Sequence, residues 1–157
     1  MDRSLIDQYE NGGEKLRQAI RGLTREDLLA VPVPGTWSIQ QIVLHLMDSD
    51  LIAADRMKRV IAEDNPTLIG FDETKFAKNL HYEEQSAADA ATIFDLNRRM
   101  FAKVLRKLPD AAFERTGTHN ERGPMRLGDM LGYFVKHLEH HLRFINEKRE
   151  KLGKLMW

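Results

Sequence analysis

Cysteine is absent from the 157 residues of this chain. Its absence excludes a disulfide framework, a thiolate metal site and a cysteine nucleophile. Charge of one sign is not in excess either, because 24 Lys and Arg residues balance 24 Asp and Glu residues. A chain without net charge has no overall field that would attract nucleic acid or an anionic membrane, so neither is expected as a partner.

A long apolar run is also lacking. Residues 28–47 contain no Asp, Glu, Lys or Arg, but Pro32, Pro34 and Gly35 interrupt them and polar residues follow, which excludes a transmembrane helix. The first residues show no basic segment followed by an apolar one, so we expect no secretory signal and a cytoplasmic location. Length and a hydrophobic content of 42% predict one domain over residues 1–157.

Four segments carry apolar residues at helical spacing. The first helix begins near Leu5, and Gly12-Gly13 inside it predicts either the close approach of a neighbouring element or a kink. The second helix begins after Ser38, which forms a capping-box pattern with Gln41, and it stops before Pro66.

The second half of the chain supplies two more helices. Ser86 caps the third, which ends before Pro109, and the fourth runs from Leu127 toward Lys151. Residues 67–85 are irregular except for a predicted short helix at 73–78, and residues 110–124 form a polar loop with one extended strip at 114–118. These elements predict an all-α four-helix bundle. The predicted inward stripe of the third helix is Ala90, Ile93, Asn97, Met100, Val104 and Leu108.

Histidines give the densest chemical signal in the sequence. His137 and His141 lie one helical turn apart on the apolar face of the fourth helix, a separation that suits two ligands of one metal ion. His45 has a similar inward phase on the second helix. Three inward histidines would leave an open coordination position, as catalytic metal sites do. The metalloprotease motif is excluded because Leu138, not Glu, follows the first histidine of the pair.

Other interpretations of the histidines stay open at the level of sequence. A lone inward histidine such as His45 is often a hydrogen-bonded core residue, and a histidine pair on a helix often lies on the surface. His140 is predicted to face outward, while His81 and His119 fall in loops that we expect to be solvated, with His119 as a candidate for a pocket mouth. No GxSxG, Walker or GxGxxG motif supports serine-nucleophile or nucleotide chemistry.

The combination of Trp37-Ser38 at a helix start, His45 and the spaced pair on the last helix resembles the DinB-like superfamily of four-helix bundle metalloproteins. Residues 45–76 are similar to its YfiT-type branch, and the resemblance spans nearly the whole chain. The segments that carry this similarity are Asp48-Ser49, Arg56-Met57-Lys58, Glu63-Asp64-Asn65-Pro66-Thr67 and Phe71-Asp72-Glu73.

The resemblance implies an up-down-down-up bundle with a long crossover through residues 67–85. By matching position, His45, His137 and His141 would hold a divalent ion, zinc or nickel, and many relatives are homodimers. Asp50 stands where relatives often carry a second polar residue or histidine, so the contacts to substrate are not carried over.

In function, the resemblance implies a metal-dependent enzyme with a small-molecule substrate. It would be either a hydrolase or an S-transferase that uses a low-molecular-weight thiol such as bacillithiol or mycothiol. Asp48, Asp50 and Glu139 are candidate general bases only through their proximity in sequence. The alternative is a non-catalytic, stress-related bundle that binds a structural metal or another ligand.

Overall fold

The computed structural model describes residues 1–156, in which four long helices form a bundle. Short elements fill the connections between them, including single 3-10 turns at Tyr82–Glu84 and Asp110–Glu114. The helices are α1 (Ser4–Ala19), α2 (Arg25–Leu29), α3 (Ile39–Ala62), α4 (Glu73–Asn79), α5 (Ala87–Lys107) and α6 (Leu127–Lys151). The strands are β1 (Thr67–Leu68), β2 (Thr116–His119) and β3 (Gly123–Arg126).

The direction of each long helix follows from its contacts. Helix α1 runs antiparallel to α5, since Arg106 near the end of α5 pairs with Asp7 near the start of α1. Helices α3 and α5 run parallel, because their N-terminal halves share one core cluster and their C-terminal halves share another. Helix α6 runs parallel to α1, as the bonds from Arg149 to the end of α1 show. The predicted up-down-down-up bundle is therefore confirmed, with residues 63–86 as the crossover.

Side chains cap the N-termini of α3 and α5, as the sequence predicts. The Ser38 hydroxyl accepts a hydrogen bond from the Gln41 amide, and the Gln41 side chain accepts one from the Ser38 amide, which completes the capping box. Ser86 caps α5 through the Asp89 amide. The short helix predicted at residues 73–78 is confirmed as α4.

The fold also contains a small three-stranded sheet. The spacing of apolar residues predicted only one extended strip of it, at residues 114–118. Strand β1 pairs in parallel with β2, and β2 pairs antiparallel with β3. Each strand spans only two to four residues, too few for an alternating pattern to be visible in the sequence. The sheet joins the crossover to the α5–α6 connection, and it brings both against one end of the bundle.

The close approach predicted at Gly12-Gly13 is confirmed, since α1 is continuous and α5 packs directly against it. A Cβ at Gly13 would lie 2.7 Å from the Asp95 Cα. A buried ion pair lies nearby, in which Arg98 of α5 donates to Asp50 of α3 at 2.7 Å, with both side chains 1% exposed. The two charges are satisfied because Arg98 also donates to the carbonyls of Tyr9 and Phe134.

The prediction of which face of α5 packs against the core is wrong for most of the helix. Ile93, Met100 and Val104 are 42–69% exposed, whereas Phe94 and Arg98, roughly 100° around the helix, face the core. Ala90 of the predicted stripe is buried as expected. The core face of α5 contains Asp95 and Arg98, so its charge content made it resemble a solvent face. The buried residues of α5 are Ala87, Ala90, Ala91, Phe94, Asp95, Arg98, Phe101, Ala102 and Leu105.

Among residues 1–156, none of the helices has the length and apolar content needed to cross a membrane.

Candidate metal centre

The antiparallel packing of α3 against α6 brings three histidines together. His45 of α3 and both His137 and His141 of α6 each offer a ring nitrogen, and these nitrogens lie within 4.8 Å of one another. The Nε2 atoms of His45 and His137 are 3.3 Å apart. The structure thus assembles the three residues that the sequence nominates as ligands, and their role as ligands stays a prediction.

Burial keeps these imidazoles neutral. Removal from water lowers the pKa of His45 to about 4 and that of His141 to about 4, each with a further contribution from a neighbouring histidine. His137 has a pKa lowered to about 3 by burial and by the charges that His141 and His45 would carry. A metal ligand must present an unprotonated nitrogen, and all three do so at neutral pH.

The geometry of the cluster fits one small divalent cation. Two nitrogens bound at 2.0–2.1 Å to a tetrahedral ion lie roughly 3.3 Å apart, and this is the separation between His45 and His137. The Nδ1 atom of His141 is buried without a hydrogen-bond partner in the described chain. Such an unpaired polar atom is costly in a protein interior, and a cation bound at Nδ1 would satisfy it.

Neighbouring side chains fix the orientation of His45. The Ser49 hydroxyl, one turn further along α3, lies 3.3 Å from His45 Nδ1. Trp37 packs on the other side, with its ring centroid 5.1 Å from that of the imidazole. Trp37, just before α3, and Ser49, within it, therefore hold this ring in place.

The cluster opens on one side into a cavity of about 440 Å³. Glu73, at the first position of α4, lines this cavity and places a carboxylate oxygen 3.6 Å from His45 Nε2. The Glu73 side chain is 59% exposed, so it faces the open part of the cavity. The lining residues are His45, Ser49, Arg56, Gly70, Phe71, Asp72, Glu73, His119, Glu121, Arg122, Met125, Tyr133, Phe134 and His137.

The acidic residues nominated from sequence proximity do not line this cavity. Asp50 is held in the core by Arg98, and Asp48 accepts a hydrogen bond from the Tyr82 hydroxyl at 2.5 Å. Glu139 pairs with Lys15 at 2.5 Å on another face of α6. The acidic group that the structure places beside the histidines is Glu73, and no periodic pattern in the irregular crossover could have singled it out.

The remaining histidines divide into surface and cavity positions. His140 and His81 are exposed, as expected. His119, the last residue of strand β2, is buried rather than solvated. It lines the cavity, which agrees with the alternative expectation that it lies at a pocket mouth.

A cluster of three histidines from two antiparallel helices, with His45 and His137 lining an open cavity, places the chain in the class of four-helix bundles with a candidate metal site. The chain belongs to the DinB superfamily, whose family model matches residues 8–145. The resemblance identified from the sequence is thereby confirmed.

Individual relatives agree with this assignment. A protein of Oceanobacillus iheyensis named "Putative metal-dependent hydrolase" is 31% identical over 140 residues, which cover 89% of this chain and 81% of the relative. A protein of Bacillus mycoides with the same designation is 29% identical over 148 residues, covering 94% of this chain and 85% of the relative.

Among solved structures, the chain is similar to YfiT from Bacillus subtilis, described as "a probable metal-dependent hydrolase with an unusual four-helix bundle topology". The TM-score is 0.90 at 26% identity, and the match covers 96% of this chain and 86% of YfiT. The bundle topology derived above from helix contacts is thus shared with YfiT.

Proposed function

We propose that this protein is a metal-dependent hydrolase that holds one divalent cation, zinc or nickel, at His45, His137 and His141. The observation that carries the proposal is the convergence of three neutral ring nitrogens within 4.8 Å of one another, beside an open cavity that His45 and His137 line. Neutral imidazoles suit both metals. Three protein ligands leave a coordination position free, which distinguishes catalytic from structural zinc sites.

A bound divalent cation supplies Lewis acidity and lowers the pKa of a water or thiol in its open position. The chain's own residues have separate tasks around it. His45 is oriented by Ser49, and Phe134 and His137 form one wall of the cavity. The Glu73 carboxylate lies 3.6 Å from His45 Nε2, close enough to accept a proton from a water bound beside both, and we assign it the role of general base.

An S-transferase for a low-molecular-weight thiol is the second candidate function. Because the chain contains no cysteine, the thiol must enter as a substrate. The cavity of about 440 Å³ is far larger than a water molecule needs, and it could therefore admit such a thiol beside the histidines.

Elemental analysis of the purified protein tests the metal site. After dialysis against metal-free buffer, the wild type should retain about one equivalent of zinc or nickel, and the His137→Ala variant should lose it. His140→Ala is the matched control, because His140 is the exposed histidine on the same helix. Absence of metal from all three proteins, including after incubation with excess zinc or nickel, would favour the non-catalytic ligand-binding bundle.

The same preparations separate the two reactions. We expect ester or amide hydrolysis by the loaded wild type, and its loss both in His137→Ala and in a Glu73→Gln variant that keeps the ion. Conjugation of a small thiol to an electrophile without hydrolysis would instead support the S-transferase. Hydrolysis that survives in Glu73→Gln would remove Glu73 from the role of general base.

We also propose that the protein is a homodimer formed through α5. Its outer face carries the apolar stripe Ile93, Leu96, Met100 and Val104, and these side chains are 42–69% exposed. Asp89 and Lys107 lie at opposite ends of the same stripe and are exposed. A continuous apolar stripe that ends in opposite charges is typical of an interface with a second copy in antiparallel orientation.

A further inference from the structure

Two arginines line the same cavity as His45 and His137. Arg56 lies eleven residues after His45 on α3, which is about three turns, so both occupy one face of the helix with Cα atoms about 16 Å apart. Side chains on a helix lean toward its N-terminus, and Arg56 therefore reaches back toward His45. Arg122, in the turn between β2 and β3, lies over the Tyr133 ring at 5.8 Å and lines the same cavity.

Neither guanidinium is neutralised within the chain. Among residues 1–156, Arg56 and Arg122 form no ion pair shorter than 4.0 Å, in contrast to Arg98, which is fully paired in the core. Arg56 is half-buried and donates to the Ile69 carbonyl, but its Nε is buried without a partner. Burial lowers the pKa of Arg56 and the charge of Arg122 lowers it further, against the opposing charges of Asp55 and Glu121.

His119 adds a third donor to this part of the cavity. Its Nδ1 accepts a hydrogen bond from the Glu121 amide at 3.1 Å, which places the ring proton on Nε2. Burial and the charges of Arg56 and Arg122 lower the pKa of His119, so the ring is neutral and Nε2 remains a hydrogen-bond donor. Two guanidinium groups and one imidazole N–H thus line the same cavity.

Acidic residues in the cavity have other positions. Glu73 lies beside His45, and Asp72 caps α4 through the Lys75 amide. Glu121 packs over Gly70, where a Cβ would lie 2.8 Å from its carboxylate oxygen. The Glu121 carboxylate acts on Arg56 and His119 through its charge, but in the described chain it lies within 4.0 Å of neither arginine, so both guanidinium groups keep N–H donors for an external anion.

We propose that Arg56, Arg122 and His119 bind an anionic group, a carboxylate or a phosphate, of the small-molecule substrate. Guanidinium groups match both anions through paired N–H donors. The substrate would then extend from this anion toward the histidine cluster, where its reacting bond lies. The inference rests on the proposed function, because it assumes that the substrate reacts at the histidine cluster while its anionic group lies in the same cavity.

Binding of two simple probes tests the site without knowledge of the substrate. Inorganic phosphate and glutarate are titrated into the zinc-loaded protein at constant ionic strength, with chloride as the compensating anion, and the Kd is measured by calorimetry. We expect Arg56→Gln and Arg122→Gln each to weaken binding about tenfold or more, since a charge-assisted hydrogen bond contributes about 1.5–3 kcal/mol. Arg143→Gln is the matched control, because Arg143 is an exposed arginine outside the cavity, and it should leave Kd unchanged.

Three further measurements keep this test separate from that of the metal site. Metal content is measured on every variant and should stay at the wild-type level when either arginine is changed. His137→Ala, which is expected to lack the ion, should still bind the preferred probe, which shows that the arginines rather than the metal hold the anion. Arg122 lies on an exposed turn, so its replacement tests the site even if Arg56→Gln impairs folding.

The outcomes divide clearly. Tighter binding of phosphate indicates a phosphorylated substrate, tighter binding of glutarate indicates a carboxylate, and both support the site. Equal Kd values in the wild type and both arginine variants would overturn the proposal while leaving the metal site intact. Loss of binding in Arg143→Gln as large as in Arg56→Gln would also overturn it, because the attraction would then be a general surface effect. Anion binding without metal binding would instead refute the proposed function alone.

Discussion

The protonation state of each histidine in the cluster affects the stability of the fold. In the unfolded chain a histidine has a pKa near 6.5, whereas burial lowers the three values to about 3–4 in the folded protein. Between these values the unfolded state binds more protons, so the free energy of unfolding rises with pH. Stability that is present above pH 6.5 is therefore lost as the pH falls toward 4.

We accordingly expect the metal-free protein to be strongly destabilised in mild acid. Each histidine contributes about 1.4 kcal/mol per pH unit, or at most about 4 kcal/mol per unit for the three. That slope is large against a typical total stability of about 5–15 kcal/mol. Urea unfolding of chelator-treated protein at pH 7, 6 and 5 measures it, and a variant with all three histidines changed to glutamine is the control. An equally steep loss in that variant would show that other groups cause the acid sensitivity.

The residues of the candidate site differ in how far sequence could predict them. His45, His137 and His141 lie on long helices, where the 3.6-residue period fixes which face each side chain occupies. Glu73 and His119 come from the crossover and from a strand of four residues. Their positions depend on pairing between distant segments, and no local pattern encodes that pairing.

At the scale of elements, α1 and α6 use glycine for different reasons. Gly13 allows the α5 backbone to approach, whereas a Cβ at Gly132 would meet nothing nearer than Leu5 Cδ1 at 3.8 Å. No neighbouring element therefore requires a glycine at Gly132. At Gly128 a Cβ would lie 3.3 Å from the Phe113 carbonyl oxygen, so the contact there is tight.

The two glycines should respond to alanine in opposite directions. Gly13→Ala should lower the free energy of unfolding by about 1–3 kcal/mol, because the new methyl group overlaps the Asp95 backbone. Gly132→Ala should raise it by up to about 1 kcal/mol, since alanine favours the helix and the space is free. Urea denaturation at pH 7 measures both changes. A neutral or stabilising Gly13→Ala would refute the close approach of α5.

Helix α5 shows why a helix can be predicted correctly while its orientation is not. Its capping residue and C-terminal end were readable from local signals, and both are confirmed. Its core face, however, carries Asp95 and Arg98, whose burial depends on partners in α1 and α3. An orientation that places charges outward and Ile93, Met100 and Val104 inward is the reasonable one for an isolated helix, and tertiary pairing rotates the helix by roughly 100° from it.

At the scale of the whole molecule, the orientation of α5 leaves an apolar stripe on the outside of the bundle. If two copies of α5 cross antiparallel about a two-fold axis near residue 98, three complementary pairs form. Ile93 would meet Val104 and Leu96 would meet Met100, while Asp89 at one end would face Lys107 of the second copy. The pattern is self-complementary in both shape and charge.

We therefore expect the wild type to sediment as a dimer and Met100→Glu to sediment as a monomer, because the substitution places two carboxylates near the centre of the interface. Leu155→Glu is the control, since Leu155 is similarly exposed but lies outside the stripe. Lys107→Glu should weaken the dimer, and adding Asp89→Lys should restore it by exchanging the charges. Analytical ultracentrifugation at several protein concentrations measures each state. A dimer that is unaffected by Met100→Glu must use another face, whereas a wild type that is monomeric throughout would show that this stripe is simply exposed to water.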